Sequence, residues 1–369
     1  MNKFINKVVN LKITTLSPVA ISDNDAKKLT PYADIILDKK DIVILDKDKL
    51  TDLIISDNNA FNMYLDILRN RRANNPNHYT IDKLMQYKGI KLSDVTYRKI
   101  KCKCDIKNLI EVVCCIKSNG KAFIPGSSIK GSVRTAILQG SLSKDQMIKN
   151  SQEYHKTYVG EDVFRNQPKN IQSDIFKHLI VRDTNCVTNE NLSVYEAKSI
   201  NLYKNMFQNN LRLDMRMLLE CIDKNTVFDC GIVIKNDKFK KEDIFTSVNK
   251  YYERVILKEI SEISKIKADI TEIINEYNLL LDKIRRYIND KNGCIMRVGR
   301  LKGYFSNTIT SQLDNKDIYR IIGKEKNKVK LRKVIGEFPT TKWVVCDGNK
   351  VKGLFGWIEV SENGKNSNN

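Results

Sequence analysis

Between Glu242 and Asn289, apolar side chains recur at Ile256, Ile260, Ile263, Ile270, Ile274, Tyr277, Leu281, Ile284 and Ile288, mostly three, four or seven residues apart. That period places them on one face of one or two long amphipathic helices. The stripe reads as a core face rather than a separate coiled coil, so the rest of the chain must supply the surface that covers it. Most of the other strong signals are strands. Val9, Leu11 and Ile13 alternate with Asn10, Lys12 and Thr14 until Pro18 stops the run, the period of two of a half-buried strand. Ala33–Leu37 and Ile42–Leu45 flank a polar turn and read as a hairpin before a helix starting near Asp46. Further strands are expected at Leu179–Arg182, Met215–Ile222, Val227–Ile234 and Cys294–Val298.

Residues from Leu50 to about Tyr97 carry a mostly helical pattern with Leu65, Leu68 and Leu84 as core contacts. Residues 139–175 are polar and are expected to form a long connection or a mobile insertion, and the tail from Glu362 is expected to fray. Strands and helices mixed in this way indicate an α+β chain with antiparallel sheets rather than a parallel βαβ sheet. The expected division is 1–175, with a helical insertion, and 176–369, with the long helix 242–289.

The 369 residues include 64 Lys and Arg against 44 Asp and Glu, a net charge of +20. Such a surplus favours a polyanion, because every neutralised phosphate releases counterions. No run approaches the roughly 20 apolar residues of a membrane span, and Met1–Lys7 lacks the apolar stretch of a signal peptide, so a cytoplasmic protein with no membrane partner is expected. The nine cysteines form no Cys-x-x-Cys pair and are read as reduced; no metal and no cofactor are expected.

Two segments carry chemistry. Phe123–Leu138 reads as a Pro-Gly turn followed by a helix that Ser127 or Ser128 caps, with Ile129, Val133, Ala136 and Ile137 on one face. Lys130 and Arg134, four residues apart, share another face near a helix N-terminus, where anions are favoured. Gly131 inside the helix costs about 1 kcal/mol against Ala, which points to close approach of a partner. The second segment is a strand leading into a Gly-x-x-x-Gly loop, with Arg297, Gly299, Arg300, Lys302 and Gly303, and with Tyr304 and Phe305 beyond it. It matches neither a P-loop nor a dinucleotide fingerprint.

The run Phe123–Leu138 resembles the signature of the RAMP superfamily of CRISPR effector proteins, in particular the family of fifth-numbered subunits of the type III-A Csm complex. Leu16–Val19 resembles the end of that family's first strand and Val181–Thr184 its central strand. Leu218–Ile222 with Thr226–Phe228 resembles the paired strands that follow, Gly299–Asn307 the glycine-rich loop, and Glu337–Trp343 with Leu354–Trp357 the C-terminal pair. Ala20–Ile21–Ser22 stands where the family usually has His-Ile-Gly, and the loop has three residues between its glycines instead of a denser cluster.

The resemblance implies two ferredoxin-like, RRM-type domains with helical insertions. It also implies a non-catalytic, structural subunit that holds a guide RNA (crRNA) by its backbone, caps its 3′ end and supports its maturation in antiviral defence. Its partners would be crRNA, the backbone RAMP subunit, the small helical subunit and host trimming nucleases. RNA-binding residues are expected at Ser127, Ser128, Lys130, Gly131, Arg134, Arg297, Gly299, Arg300, Lys302 and Gly303, with no catalytic residue. The alternative is a metal-independent endoribonuclease of the same superfamily that processes precursor crRNA. It would need a general acid or base, and the chain has only His78, His155 and His178, in polar stretches without partner motifs. Asp23, Asp25 and Asp34 fall where a target-cutting loop aspartate would, and Asp38, Asp41, Asp46 and Asp48 lack the Gly and Glu of a calcium loop.

Overall fold

The computed structural model describes residues 6–22, 27–31, 33–69, 80–152, 159–167, 169–235, 237–324 and 341–363. The strand Asn6–Thr15 buries Val9, Leu11 and Ile13 and turns the intervening residues outward, as its alternation requires. It is flanked on both sides by strands from far along the chain. Val227–Lys235 pairs antiparallel along one edge and Trp357–Glu362 along the other. Gly293–Arg297 and Leu179–Val181 complete an antiparallel sheet of five strands. This sheet therefore draws on both of the expected units, 1–175 and 176–369.

The isoleucine stripe resolves into two helices, Lys241–Ile263 and Thr271–Asp290, packed on each other and on Gly293–Arg297. Ile256, Ile263, Tyr277, Leu281 and Ile284 are buried, and Ile260, Ile270, Ile274 and Ile288 are half-buried against the same core. The helix Gly126–Ser141 packs beside Lys241–Ile263, so the main core lies between helices and sheet.

A second, mixed sheet is built around a strand the sequence pattern does not announce, Leu192–Asn201. It pairs with Leu213–Ile222 on one edge. On the other it meets Thr96–Cys102, in parallel, and Thr341–Asp347. The expected hairpin is present as Ile35–Asp38 and Asp41–Leu45, followed by the helix Lys47–Ile54, whose first turn Asp46 caps by accepting from the Lys49 backbone N–H at 3.2 Å. With Asn58–Arg69 and Ile81–Lys88 this helix forms an insertion with its own small core of Leu50, Ile54, Ala60, Ile67 and Leu84. Leu65 and Leu68, expected in that core, are only half-buried. The expected connection 139–175 contains helices at Lys144–Gln152 and Glu161–Phe164, because Met147 and Phe164 reach the main core. The described chain shows an α+β architecture with a five-stranded antiparallel sheet, a mixed sheet and a two-stranded antiparallel hairpin, Lys117–Ser118 with Lys121–Ala122.

Candidate nucleic-acid interface

The signature helix begins one residue before its serines. Gly126 is its first residue, Pro125 occupies the N-cap position, and neither Ser127 nor Ser128 caps it. The Gly126 N–H instead donates to Asp183 Oδ1 at 2.7 Å, from the chain just beyond Leu179–Val181. The helix end lies so close to that strand that a Cβ on Gly126 would collide with the Val181 carbonyl oxygen. Here glycine answers to the protein's own backbone. Gly131 is the opposite case: it is exposed, and beyond its chain neighbours and the helix's own backbone nothing lies within 4 Å of where its Cβ would be.

The basic pair on this helix is only partly available. Arg134 forms an ion pair with Asp174 at 3.3 Å, and its guanidinium lies 4.3 Å from the Phe164 ring centre and 4.9 Å from that of Phe176. It thus pins Phe164, Asp174 and Phe176 to the helix. Lys130 is half-buried; burial lowers its pKa, opposed by Asp174 and aided by Arg134.

The glycine loop is held from both sides. Gly299 has φ +79°, and a Cβ there would collide with the Ala20 carbonyl oxygen, which accepts the Arg300 N–H at 2.7 Å. Residues 16–22 and 356–357 close the arrangement: Gly356 N–H donates to Pro18 O at 2.9 Å and Val298 N–H to Gly356 O at 2.8 Å. From inside, Arg297 donates to the carbonyls of Phe355 at 2.8 Å, Lys302 at 2.7 Å and Leu301 at 3.3 Å. Arg297 is fully buried and pairs with Glu259 at 3.4 Å, so it does not face RNA as expected. A buried cation needs such partners, and the loop's own carbonyls supply them. Glu259 also receives Lys342 and the Tyr277 hydroxyl. Burial raises its pKa, but Lys342 and Arg297 outweigh this and hold it below the usual value. Burial lowers Lys342 to about 8, and burial with Arg297 lowers half-buried Lys302 to about 8.

The two segments meet through Ser132, whose hydroxyl donates to the Arg297 carbonyl at 3.0 Å, as does the Tyr252 hydroxyl. At about 100° per residue, Lys130 and Arg134 lie about 160° around the helix from Ser132, whereas Ser128 shares its edge. The structure therefore joins the helix to the base of the glycine loop through Ser132, with Ser128 on the same edge, and turns the basic pair toward Asp174. Of the expected cations, Arg300 is the exposed one, and its guanidinium donates to Ser22 Oγ at 2.5 Å. Ser127 is also exposed, while Gly299 and Gly303 are half-exposed, both with φ +79°. Sequence reasoning missed Asp183, Ser132, Glu259 and Lys342. Only Asp183 carries a local sign, a carboxylate next to Thr184 after a strand.

His78, His155, Asp23 and Asp25 lie outside the described residues. His178 has its pKa lowered by burial and by Lys177, Lys238 and Lys235. Asp34 accepts from the Thr30 backbone and hydroxyl at 2.7 and 2.8 Å and pairs with Lys47. Asp38 pairs with Lys99 at 3.0 Å. Among the described residues no group of three or more His, Cys, Asp or Glu could hold a metal ion, and no helix is long and apolar enough to cross a membrane.

The family model of the RAMP superfamily matches residues 12–305. The CRISPR system Cms protein Csm5 of Methanocaldococcus jannaschii is 24% identical over 319 residues, covering 78% of this chain and 74% of its own. A chain in the cryo-EM structure of a Csm-crRNA-target RNA ternary complex of a type III-A CRISPR-Cas system superposes with a TM-score of 0.68 at 21% identity, over 96% of this chain and all of that one. The crystal structure of T. onnurineus Csm5 gives 0.62 at 18% identity, over 94% and 99%. With a family match across most of its length and a Csm5-like fold over nearly all of it, the chain belongs to the RAMP superfamily.

Proposed function

We propose that this chain is a non-catalytic, crRNA-binding subunit of a type III-A Csm complex that caps the 3′ end of the guide and supports its maturation. The observation that carries the reading is the glycine loop. Its carbonyls are tied inward by Arg297, its Gly299 backbone is locked against Ala20, and Arg300 is left exposed at its rim. A loop so held presents one cation to a phosphate without reorganising, which suits a sequence-tolerant grip. Ser128 would extend the contact on the edge beside the loop, and Ser127, Gly131 and Lys130 would carry it around the helix toward the Asp174 side, with the backbone and small helical Csm subunits and the trimming nucleases as protein partners.

The same proposal includes two ferredoxin-like, RRM-type units divided near residue 175. Because Asn6–Thr15 is paired with strands of the second half, these units would share one folding event. Sequencing the RNA that copurifies with the tagged protein should return guides with one common 5′ tag and staggered 3′ ends. A random RNA population would overturn the reading. Incubation with repeat-containing precursor RNA, without metal, should leave it intact, and discrete products would favour the endoribonuclease instead.

A further inference from the structure

A cleft of about 910 Å³ opens among the hairpin of Lys117–Ser118 with Lys121–Ala122, the strand Thr96–Cys102 and the start of the helix Lys47–Ile54. Its size falls in the roughly 300–1,000 Å³ range of ligand sites. It reaches the glycine loop through Ser22, which lines it and accepts the hydrogen bond from Arg300. A bulge shapes it: Ile44 faces Arg98 and Leu45 faces Thr96, so Tyr97 is an extra residue in the ladder. Bulges re-aim side chains, and Tyr97 and Arg98, consecutive in sequence, both line the cleft. The Tyr97 residue is 68% exposed, so its ring does little for packing.

Below it, Arg98 and Lys117 converge on the buried Glu220 carboxylate at 2.7 and 2.6 Å, two cations on one anion. Burial raises the Glu220 pKa, but these two partners outweigh it and hold the group ionised. Lys27 and Lys121 add exposed positive charge to the lining, and Asp46 and Asp48 contribute carboxylates from the helix start.

We propose that this cleft takes the unpaired terminal nucleotide of the bound RNA strand, its base stacked on Tyr97 and its phosphate facing the exposed Lys27 and Lys121, while the Arg98–Lys117–Glu220 cluster holds the cleft floor in place. The carboxylates of Asp46 and Asp48 accept from an exocyclic amino group, so adenine, cytosine or guanine is preferred to uracil. The proposal rests on the RNA-binding reading and deepens it by giving the strand an end point.

The test uses the full chain and a synthetic 12-nucleotide single strand ending in 6-thioguanosine, crosslinked in near-ultraviolet light and mapped by mass spectrometry. The adduct is expected on the peptide carrying Tyr97. Tyr97→Ala should weaken binding roughly tenfold, as loss of one stacked base does, and Tyr97→Trp should retain it. A terminal uridine should bind less well than a terminal guanosine. Adducts confined to 297–303 or 126–141, with unchanged affinity in Tyr97→Ala, would overturn the cleft proposal and leave the RNA-binding reading standing. Failure of the unmodified protein to bind any oligonucleotide at low salt would remove that reading as well. Release of a copurifying protein by Tyr97→Ala, with RNA affinity unchanged, would assign the cleft to a protein and overturn the proposal.

Discussion

Arg297 and Arg300 are three positions apart and do opposite things. Arg297 is buried against Glu259 and the carbonyls of Leu301, Lys302 and Phe355, whereas Arg300 is exposed at the rim of the loop. Removing a partner from a buried ion cluster leaves uncompensated charge, so Arg297→Ala should cost about 3 kcal/mol in urea unfolding. Arg300→Ala should leave stability unchanged and flatten the log–log salt dependence of single-strand binding by about 0.7, the contribution of one phosphate contact. Arg134→Ala should do the reverse, because its guanidinium already holds Asp174, Phe164 and Phe176. Glu276 supplies a pH effect. Burial raises its pKa from 4.5 to about 7, against the Leu354 N–H it accepts at 2.6 Å. The folded state therefore binds the extra proton between those values, and the stability this brings is complete below pH 4.5 and lost as pH rises through 7. Glu276→Gln should remove that dependence, raising stability at pH 8 relative to the parent by on the order of 1–3 kcal/mol in urea titrations.

At the level of the element, the signature helix shows why one residue type can carry two meanings. Gly126→Ala would force a Cβ into the Val181 carbonyl and the Arg182 backbone, the latter at 2.7 Å, and should cost at least 1–3 kcal/mol by pushing the helix off the sheet. Gly131→Ala meets nothing within 4 Å and should stabilise the helix by about 1 kcal/mol. Thermal unfolding of the two variants should therefore shift in opposite directions. The sequence marks both glycines as special but not which is constrained by the protein, since that depends on a strand more than fifty residues away. The strand Leu192–Asn201 escaped sequence reading for a related reason. It is buried on both faces, with Ser193, Glu196 and Ser199 inside, so it lacks the alternation that reveals Asn6–Thr15. Its polar groups take partners that its own sequence cannot announce: Ser193 donates to Asp223 at 2.9 Å, and one oxygen of Glu196 accepts from Arg216.

For the whole molecule, the position of Asn6–Thr15 between Val227–Lys235 and Trp357–Glu362 makes the ends of the chain interdependent. Fragments 1–175 and 176–369, expressed separately, should be insoluble or lack cooperative unfolding, and coexpression should restore a soluble complex; two independently folded fragments would contradict this. Periodicity alone determined the amphipathic helices, the first strand, the hairpin and the α+β class, because each depends on residues within a few turns of one another. The Phe123–Leu138 motif likewise pointed to the RAMP superfamily, which the family match across residues 12–305 bears out. Tertiary structure alone decided which cations remain at the surface. Arg134, Arg297 and Arg300 look alike as letters, and their fates diverge only because Asp174 and Glu259, remote in sequence, are brought against two of them. A charge is free for a ligand only where the fold has not already neutralised it, and that is a property of the folded chain.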